Sequence, residues 1–353
     1  MENEVIIEEK KVLDKILAKK ALIFIFLGIT ARIIMLFYYY YTHMLNPQRS
    51  WGDVQLNYSM NWGLYPMLTQ GFILLFVFLS FGRIEIFAFW AFFWDLLTSL
   101  MFYFVIKSFN IKNKEYAFSL FLINPFWFLN NSFSLTNCGY HITDAFFFFF
   151  FFLALIYYPR KELYARYLFY TFLGLSMCIK FYTIPAIGFL FIKFLYEKDW
   201  KELKIMIILI VPFLVFLIVI PTFYLSYHSH ALRDWNERGS YVPIYIRLLP
   251  FTCIFIFYIL FRLKKADIFE TIIISMLALG TYFFFSWFFL RWFQSIIFYG
   301  ILKEREFFKF KLNLGFIQRE ITVNNHLLTF YLSFIGVFLS YIIIIFILKT
   351  PIY

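Results

Sequence analysis

Residues 123–194 read INPFWFLNNSFSLTNCGYHITDAFFFFFFFLALIYYPRKELYARYLFYTFLGLSMCIKFYTIPAIGFLFIKF. Four apolar segments follow one another here, and the polar residues lie almost only between them. Seven consecutive phenylalanines, Phe146–Phe152, form a run that no water-facing surface would carry. Lys180 interrupts the later apolar sequence, and a lysine in that setting needs protein, water or a phosphate beside it. The stretch predicts membrane helices that form the floor of a site open on one face of a membrane.

The whole chain has the composition of a membrane protein. It has 353 residues, of which 63% are hydrophobic, and 55 of them are phenylalanine. Apolar stretches of about 17–25 residues recur along it, the length that an α-helix needs to cross a bilayer. We therefore predict an all-α fold, a polytopic transmembrane helical bundle of ten or eleven spans.

Charge and cysteine content exclude two classes of function. The net charge of +11 comes from short basic segments between apolar runs, which is how membrane proteins orient themselves rather than how they bind nucleic acid. We expect no nucleic-acid partner. The three cysteines are scattered and form no CxxC pair, which argues against a zinc site or a disulfide framework.

The pattern divides the chain into four parts. Residues 1–20 are charged throughout and predict a cytosolic tail or surface helix. Residues 21–226 form a transmembrane module with an outer loop at 42–83. A long outer loop at 227–247 follows, and 248–353 are further transmembrane helices.

The basic segments predict which ends of the helices share a side. Those expected inside lie at 107–114, 160–166, 198–204, 262–265 and 303–319. The first span is expected at about Ala21–Tyr41 and the second full span at Ile84–Ile106. Gly71–Phe81 is too short to cross, so we expect it to lie in, or dip into, the outer interface. We expect two spans rather than one within 268–301.

Two buried charges are expected within spans, and one acid outside them. Arg32 and Asp95 each stand alone in an apolar span, which favours a structural pair; alternatively Arg32 contacts a lipid phosphate. Asp53 lies in the first outer loop among aromatic residues. It is a candidate general base or metal ligand, against the alternative of a solvated acid.

Further polar residues collect on the predicted outer side. His141 and Asp144 are three apart at a helix start, so they share a face; the spacing suits a metal ion, although the helix dipole alone also explains an acid there. Lys180 either contacts a phosphate or extends its amine to the interface. In the loop 227–247, Arg233 and Arg238 suit phosphate or sugar recognition, against a solvated loop.

Five motifs in order resemble one family. Arg32 precedes an outer-loop acid; GLYPMLTQ (Gly63–Gln70) precedes a short apolar helix; and Arg83 is followed by FWDLLTSLMFY (Phe93–Tyr103). NPFWF (Asn124–Phe128) precedes His141 and Asp144, and GLSMCIKFYTIP (Gly174–Pro185) is the best match. Over about residues 25–250 the chain resembles the GT-C superfamily of membrane glycosyltransferases, in particular the glycosylphosphatidylinositol mannosyltransferase I type and its prokaryotic relatives.

The resemblance implies an enzyme of the extracytoplasmic face. It would move a hexose, with mannose preferred, from a polyprenyl- or dolichyl-phosphate sugar donor to a lipid-linked or other glycan acceptor. The anomeric centre would invert, with Asp53 as the base. The substrate-binding residues would be Lys180, Arg233, Arg238, His141, Asp144, Arg32 and Tyr65.

No cofactor is certain. A divalent cation, Mg²⁺ or Mn²⁺, on Asp53 and Asp144 stays open. Membrane lipids are the expected surroundings, in the cell membrane or, in a eukaryote, the endoplasmic reticulum.

A non-catalytic function is the alternative. A polyprenyl-lipid flippase or transporter would use the same basic residues to pass a lipid phosphate. Such a protein needs charges along a path open to both faces, whereas most polar residues here are predicted on one face, which favours the enzyme.

Overall fold

The computed structural model describes most of the chain. The described residues are 2–45, 54, 58–59, 66–125, 127–128, 141–219, 244–282, 294–303, 306–313 and 318–342. They are predominantly helical, as the composition predicts.

The first four helices cover the first third of the chain. They are α1 (Glu2–Leu45), α2 (Met67–Phe78), α3 (Ile84–Ser108) and α4 (Lys114–Leu122). Helix α1 is continuous through the charged segment and the first predicted span. Between α2 and α3, Phe81 and Gly82 have positive φ angles of 50° and 74°, which turn the chain back on itself.

Eight further helices and one hairpin complete the described chain. The helices are α5 (Ile142–Tyr157), α6 (Leu163–Ile179), α7 (Ile184–Glu197), α8 (Trp200–Val219), α9 (Ile244–Phe257), α10 (Ile268–Tyr282), α11 (Gln294–Leu302) and α12 (Asn325–Ile342). A 3₁₀ turn, Phe181–Thr183, joins α6 to α7, and a π-helical segment, Tyr258–Arg262, extends α9. The strands β1 (Glu306–Asn313) and β2 (Gln318–Asn324) pair antiparallel.

Three helical segments are long and apolar enough to cross a membrane. They are Ala21–Leu45, Ile84–Ser108 and Tyr245–Arg262, and four shorter apolar helices accompany them among the described residues. The first two match the spans predicted at Ala21–Tyr41 and Ile84–Ile106. The chain is therefore a membrane protein by helix length and composition.

Helices α3 and α5 run parallel and end at the same level. Phe102 packs on Phe152 with ring centroids 5.0 Å apart, and Phe109 packs on Tyr158 at 5.8 Å. Helix α3 has 25 residues and α5 has 16. At a rise of about 1.5 Å per residue, α3 therefore begins about 13 Å beyond the start of α5.

The phenylalanine run lies at the centre of the bundle. Phe146, Phe147, Phe148, Phe151 and Phe152 are each at most 1% exposed. They pack against α3, against Trp127 and against Phe298 of α11. Most of α5 is buried, with a partly exposed stripe that includes Phe149, Phe150 and Leu153. A helix this apolar belongs in the interior, and α5 is the core helix of this fold.

The predicted inside segments meet at one end of the bundle. Glu202 at the start of α8 accepts hydrogen bonds from Arg166 at 3.0 Å and from Tyr170 at 2.8 Å, and Lys193 donates to the Leu263 carbonyl at 3.4 Å. These basic segments therefore lie at one end of the bundle, and that this end is the inner one stays a prediction.

The start of α10 repeats the pattern found at the start of α8. Glu270 accepts a hydrogen bond from Arg262 at 2.8 Å, and Asp267 pairs with Lys303 after α11. Asp199 and Asp267 each accept the backbone N–H three residues on, at 3.0 and 2.8 Å, which caps both helices. Burial and the Asp267 carboxylate raise the pKa of the neighbouring Tyr158.

Two predictions near the C-terminus have different outcomes. The Asp267–Lys303 pair brings the start of α10 to the end of α11, so the chain reverses within 268–301. That α10 and α11 belong to two separate membrane spans stays a prediction. The predicted inside loop 303–319 instead contains β1 and leads into β2. The alternation of phenylalanine and lysine in EFFKFKLN is the period-2 signal that the sequence offered there.

Candidate functional site

The site residues lie where α5 begins, level with the middle of α3. Thr98 of α3 donates to the carbonyl of Ala145 at 3.0 Å, and both are buried. Thr98 stands 14 residues after Ile84, so this level is about 21 Å along α3 from its start. Burying polar residues beside the middle of a long apolar helix costs free energy. Such residues therefore usually have a function.

Asp144 and Lys180 form a buried ion pair at this level. The Lys180 Nζ lies 2.6 Å from Asp144 Oδ1, and the two side chains are 10% and 2% exposed. The Tyr182 hydroxyl donates to the same carboxylate oxygen at 3.0 Å and lies 3.4 Å from Lys180 Nζ. The sequence predicted that Asp144 and Lys180 share a side, but not that they touch.

A break between two helices positions Lys180. Helix α6 ends at Ile179, and Lys180 is extended, with φ −146° and ψ 143°. Pro185 lies in the first turn of α7, where its missing N–H costs nothing. Thr69 of α2 donates to the Ile179 carbonyl at 2.6 Å, which satisfies one of the free acceptors at the end of α6.

Helix α2 rises from this level toward the start of α3. Its first turn contacts α6 through Thr69, and its middle packs on α5, with Phe72 and Phe146 ring centroids 5.2 Å apart. Its last turns contact Trp90 through Phe76 at 5.2 Å. The 12 residues of α2 extend about 18 Å. The short helix predicted at Gly71–Phe81 is observed at Met67–Phe78, and its place in the outer interface stays a prediction.

Arg32 and Asp95 form a second buried pair at a similar depth. Arg32 Nε lies 3.2 Å from Asp95 Oδ2, and Arg32 Nη1 donates to the carbonyls of Gly28 and Leu122 at 2.9 and 3.1 Å. Arg32 is fully buried and Asp95 is 2% exposed. The predicted pair is confirmed. Because its donors reach two backbone carbonyls, the geometry favours the structural interpretation of Arg32 over contact with a lipid phosphate.

Of the two predicted metal ligands, Asp144 is described and Asp53 lies outside the described residues, so a divalent cation on both stays a prediction. His141 precedes α5 and is 2% exposed, and Asp144 lies in the first turn. Asp144 Oδ1 already accepts Lys180 and Tyr182, and an ammonium at 2.6 Å repels a second cation. Within the part of the chain that the structure describes, no three His, Cys, Asp or Glu side chains are grouped to hold a metal.

Several predicted site residues lie outside the described residues. These are Asp53, Tyr65, Arg233 and Arg238. Their roles stay predictions, and so does the meeting of Asp53 with Lys180.

Sequence reasoning missed two members of the cluster. Tyr182 and Thr69 are each one polar residue in an aromatic or apolar stretch, and their types are common at helix ends. The available signal for Tyr182 was its position two residues after Lys180 in a segment broken by proline, which lets both side chains reach one acceptor.

Comparison with known proteins adds no family to these observations. No protein-family model matches the chain, and no curated protein or solved structure matches it. The resemblance to the GT-C superfamily therefore rests on the quoted motifs alone.

Proposed function

We propose that this protein is an integral-membrane glycosyltransferase of GT-C type, with ten or eleven spans. It transfers a hexose, with mannose preferred, from a polyprenyl-phosphate donor to a glycan or lipid-linked acceptor on the extracytoplasmic face. The observation that carries the proposal is the buried Asp144–Lys180–Tyr182 cluster, held below the level at which α3 begins.

The cluster supports phosphate binding because it presents a fixed cation within apolar surroundings. Asp144 and Tyr182 hold the Lys180 ammonium in one place, so the charge needs no reorganisation when a phosphate arrives. A bound phosphate would share the ammonium with Asp144. The aromatic side chains of α2, α3 and α5 around this level suit the first isoprene units of a donor.

The proposed reaction is a single displacement. The acceptor oxygen attacks the anomeric carbon of the donor, and the bond from that carbon to the phosphate oxygen breaks on the opposite side, so the configuration inverts. Asp53 takes the acceptor proton, a contribution of about 10²–10⁴-fold. The polyprenyl phosphate leaves with its developing charge beside Lys180. No step is assigned to a metal ion.

Two buried pairs of the same bundle give a matched test. Purified protein would be assayed for transfer from a short-chain polyprenyl-phosphate mannose, and for release of polyprenyl phosphate. The Lys180→Gln/Asp144→Asn protein has no unpaired charge, yet we expect its turnover to fall about 10²–10³-fold, because the cation at the leaving group is gone. The control is Arg32→Gln/Asp95→Asn, which we expect to retain most of its turnover.

The outcomes separate a catalytic from a structural pair. If the doubly neutral protein at 144 and 180 transfers sugar as well as the control does, the pair only holds the fold and the proposal fails. Asp53→Asn tests the base: correctly inserted protein that keeps more than about a tenth of the wild-type rate would exclude Asp53 from that role.

A further inference from the structure

The hairpin formed by β1 and β2 has two chemically different faces. In an antiparallel pair, alternate residues of each strand share a face, and directly paired residues lie on the same one. The apolar face carries two consecutive apolar pairs, Phe308 with Val323 and Phe310 with Ile321, and ends toward the turn in Leu312 with Arg319. The opposite face carries the polar pairs Lys309 with Thr322 and Lys311 with Glu320.

The hairpin lies at the basic end of the bundle. Helix α11 ends at Leu302, and the next residue, Lys303, pairs with Asp267 at the start of α10. Helix α12 begins at Asn325, directly after β2. Both ends of the hairpin are therefore attached to apolar helices. Strands of eight and seven residues extend about 25 Å, enough to lie along a membrane surface.

We propose that this hairpin lies in the lipid–water interface on the basic side of the membrane, with positions 308, 310, 321 and 323 toward the acyl chains. The partner is a phospholipid surface that contains anionic headgroups. An amphipathic element next to membrane helices gains free energy when its apolar face leaves water. Lys309 and Lys311 add attraction to negative headgroups, which falls off within a Debye length of the surface.

The inference rests on the membrane topology of the proposed function, but not on sugar transfer. Its test reads the position of a label and needs no catalytic activity. A failure of the label experiment and a loss of transferase activity are therefore separate results.

The experiment compares two neighbouring positions on opposite faces. Full-length protein with Cys138, Cys178 and Cys253 replaced by serine would carry one cysteine, at Phe310 or at Lys311, labelled with a nitroxide. It would be reconstituted in phosphatidylcholine vesicles with about 30% phosphatidylglycerol. Oxygen concentrates in the acyl region and a nickel chelate in water. We expect the ratio of oxygen to chelate collisions to be about tenfold higher at 310 than at 311.

The alternatives give different results. Protection of position 310 from both reagents would show that the apolar face packs on protein, and equal ratios at 310 and 311 would show that the hairpin stands in water; either overturns the proposal. Labels at Ile321 and Glu320 repeat the comparison on β2, in case the change at Phe310 disturbs folding. Vesicles without phosphatidylglycerol should lower the ratio at 310, and an unchanged ratio would contradict the part assigned to anionic headgroups.

Discussion

At the scale of single residues, burial decides what each charge can do. Arg32 has no exposed surface and reaches one carboxylate and two backbone carbonyls. Lys180 reaches one carboxylate and one hydroxyl, and it lies at the end of a helix rather than within one. The first arrangement joins α1 to α3 and to the end of α4. The second places a cation at the junction between α6 and α7.

Removing one partner of the Arg32 pair should destabilise the fold strongly. We expect Asp95→Leu to lower the free energy of unfolding by about 3–5 kcal/mol, because the guanidinium stays buried without its carboxylate. Arg32→Met/Asp95→Leu should recover most of that loss. The measurement is denaturant unfolding in detergent micelles, followed by tryptophan fluorescence.

The control for this prediction is an ion pair that reaches the solvent. The Arg166 side chain is 42% exposed in its pair with Glu202. Arg166→Gln should change the same free energy by about 1 kcal/mol or less. A double change at 32 and 95 no more stable than Asp95→Leu alone would contradict the interpretation of Arg32 as a partner of Asp95.

The sequence predicted the Arg32–Asp95 pair and missed the Asp144–Lys180 contact for a physical reason. Two lone charges in apolar spans have few possible partners, so their pairing follows from the cost of burial. Asp144 and Lys180 lie near helix ends, where water, a lipid headgroup or another side chain is an equally good partner for a charge. Only the packing of α5 against α6 brings these two together.

At the scale of elements, the fold depends on one core helix. The neighbours Phe150 and Phe151 on α5 differ in burial, since Phe151 is fully buried and Phe150 only partly. Phe151→Ala should cost about 3–5 kcal/mol of unfolding free energy, because it removes the ring that packs between Phe147 and Phe298. Phe150→Ala should cost clearly less. Equal losses in denaturant unfolding would show that α5 is not embedded as described.

Helices α11 and α12 should depend on a glycine at their contact. A Cβ built on Gly300 would collide with the Thr329 side chain, whereas one on Gly188 of α7 meets nothing within 4 Å. Gly300→Ala should therefore lower the unfolding free energy by about 1–3 kcal/mol. Gly188→Ala should leave it unchanged or raise it by up to about 1 kcal/mol. Thermal unfolding of both proteins in one detergent decides this, and a neutral Gly300→Ala would argue against the close contact.

Element boundaries were predictable where the apolar runs are long. The apolar runs of α3 and of the second half of α1 are long, and the sequence predicted their ends to within four residues of the observed ones. The hairpin was not predicted, because positive charges near membrane spans indicate sidedness and say little about backbone conformation.

At the scale of the whole molecule, charge separates the two ends of the bundle. The basic segments at 160–166, 198–204 and 262–265 contact one another, α7 or α10, and Phe109 in the fourth segment packs on Phe269 of α10. Asp144, Lys180 and Thr69 lie together away from these contacts. By the positive-inside rule, we expect the end with Arg166 and Arg262 to be the cytosolic one.

Cysteine labelling checks this orientation. In a chain that lacks its three natural cysteines, Glu162→Cys should react with a membrane-impermeant maleimide only after the membrane is opened. Glu162 is exposed on the turn between α5 and α6. Ser240→Cys, in the predicted outer loop 227–247, should react on intact cells or vesicles of native orientation. Reaction of both from the same side would refute the predicted sidedness.

The buried arginine of α1 also constrains how the protein is made. Its partners Asp95 and Leu122 stand 63 and 90 residues further along the chain. At about 5–20 residues per second, the ribosome delivers Asp95, which carries the compensating charge, roughly 3–13 s after the arginine itself. During that interval the first helix holds an uncompensated charge, so it must wait at the insertion machinery or near the bilayer surface. The helix that is synthesised first is thus among those that reach their final place only after later ones have arrived.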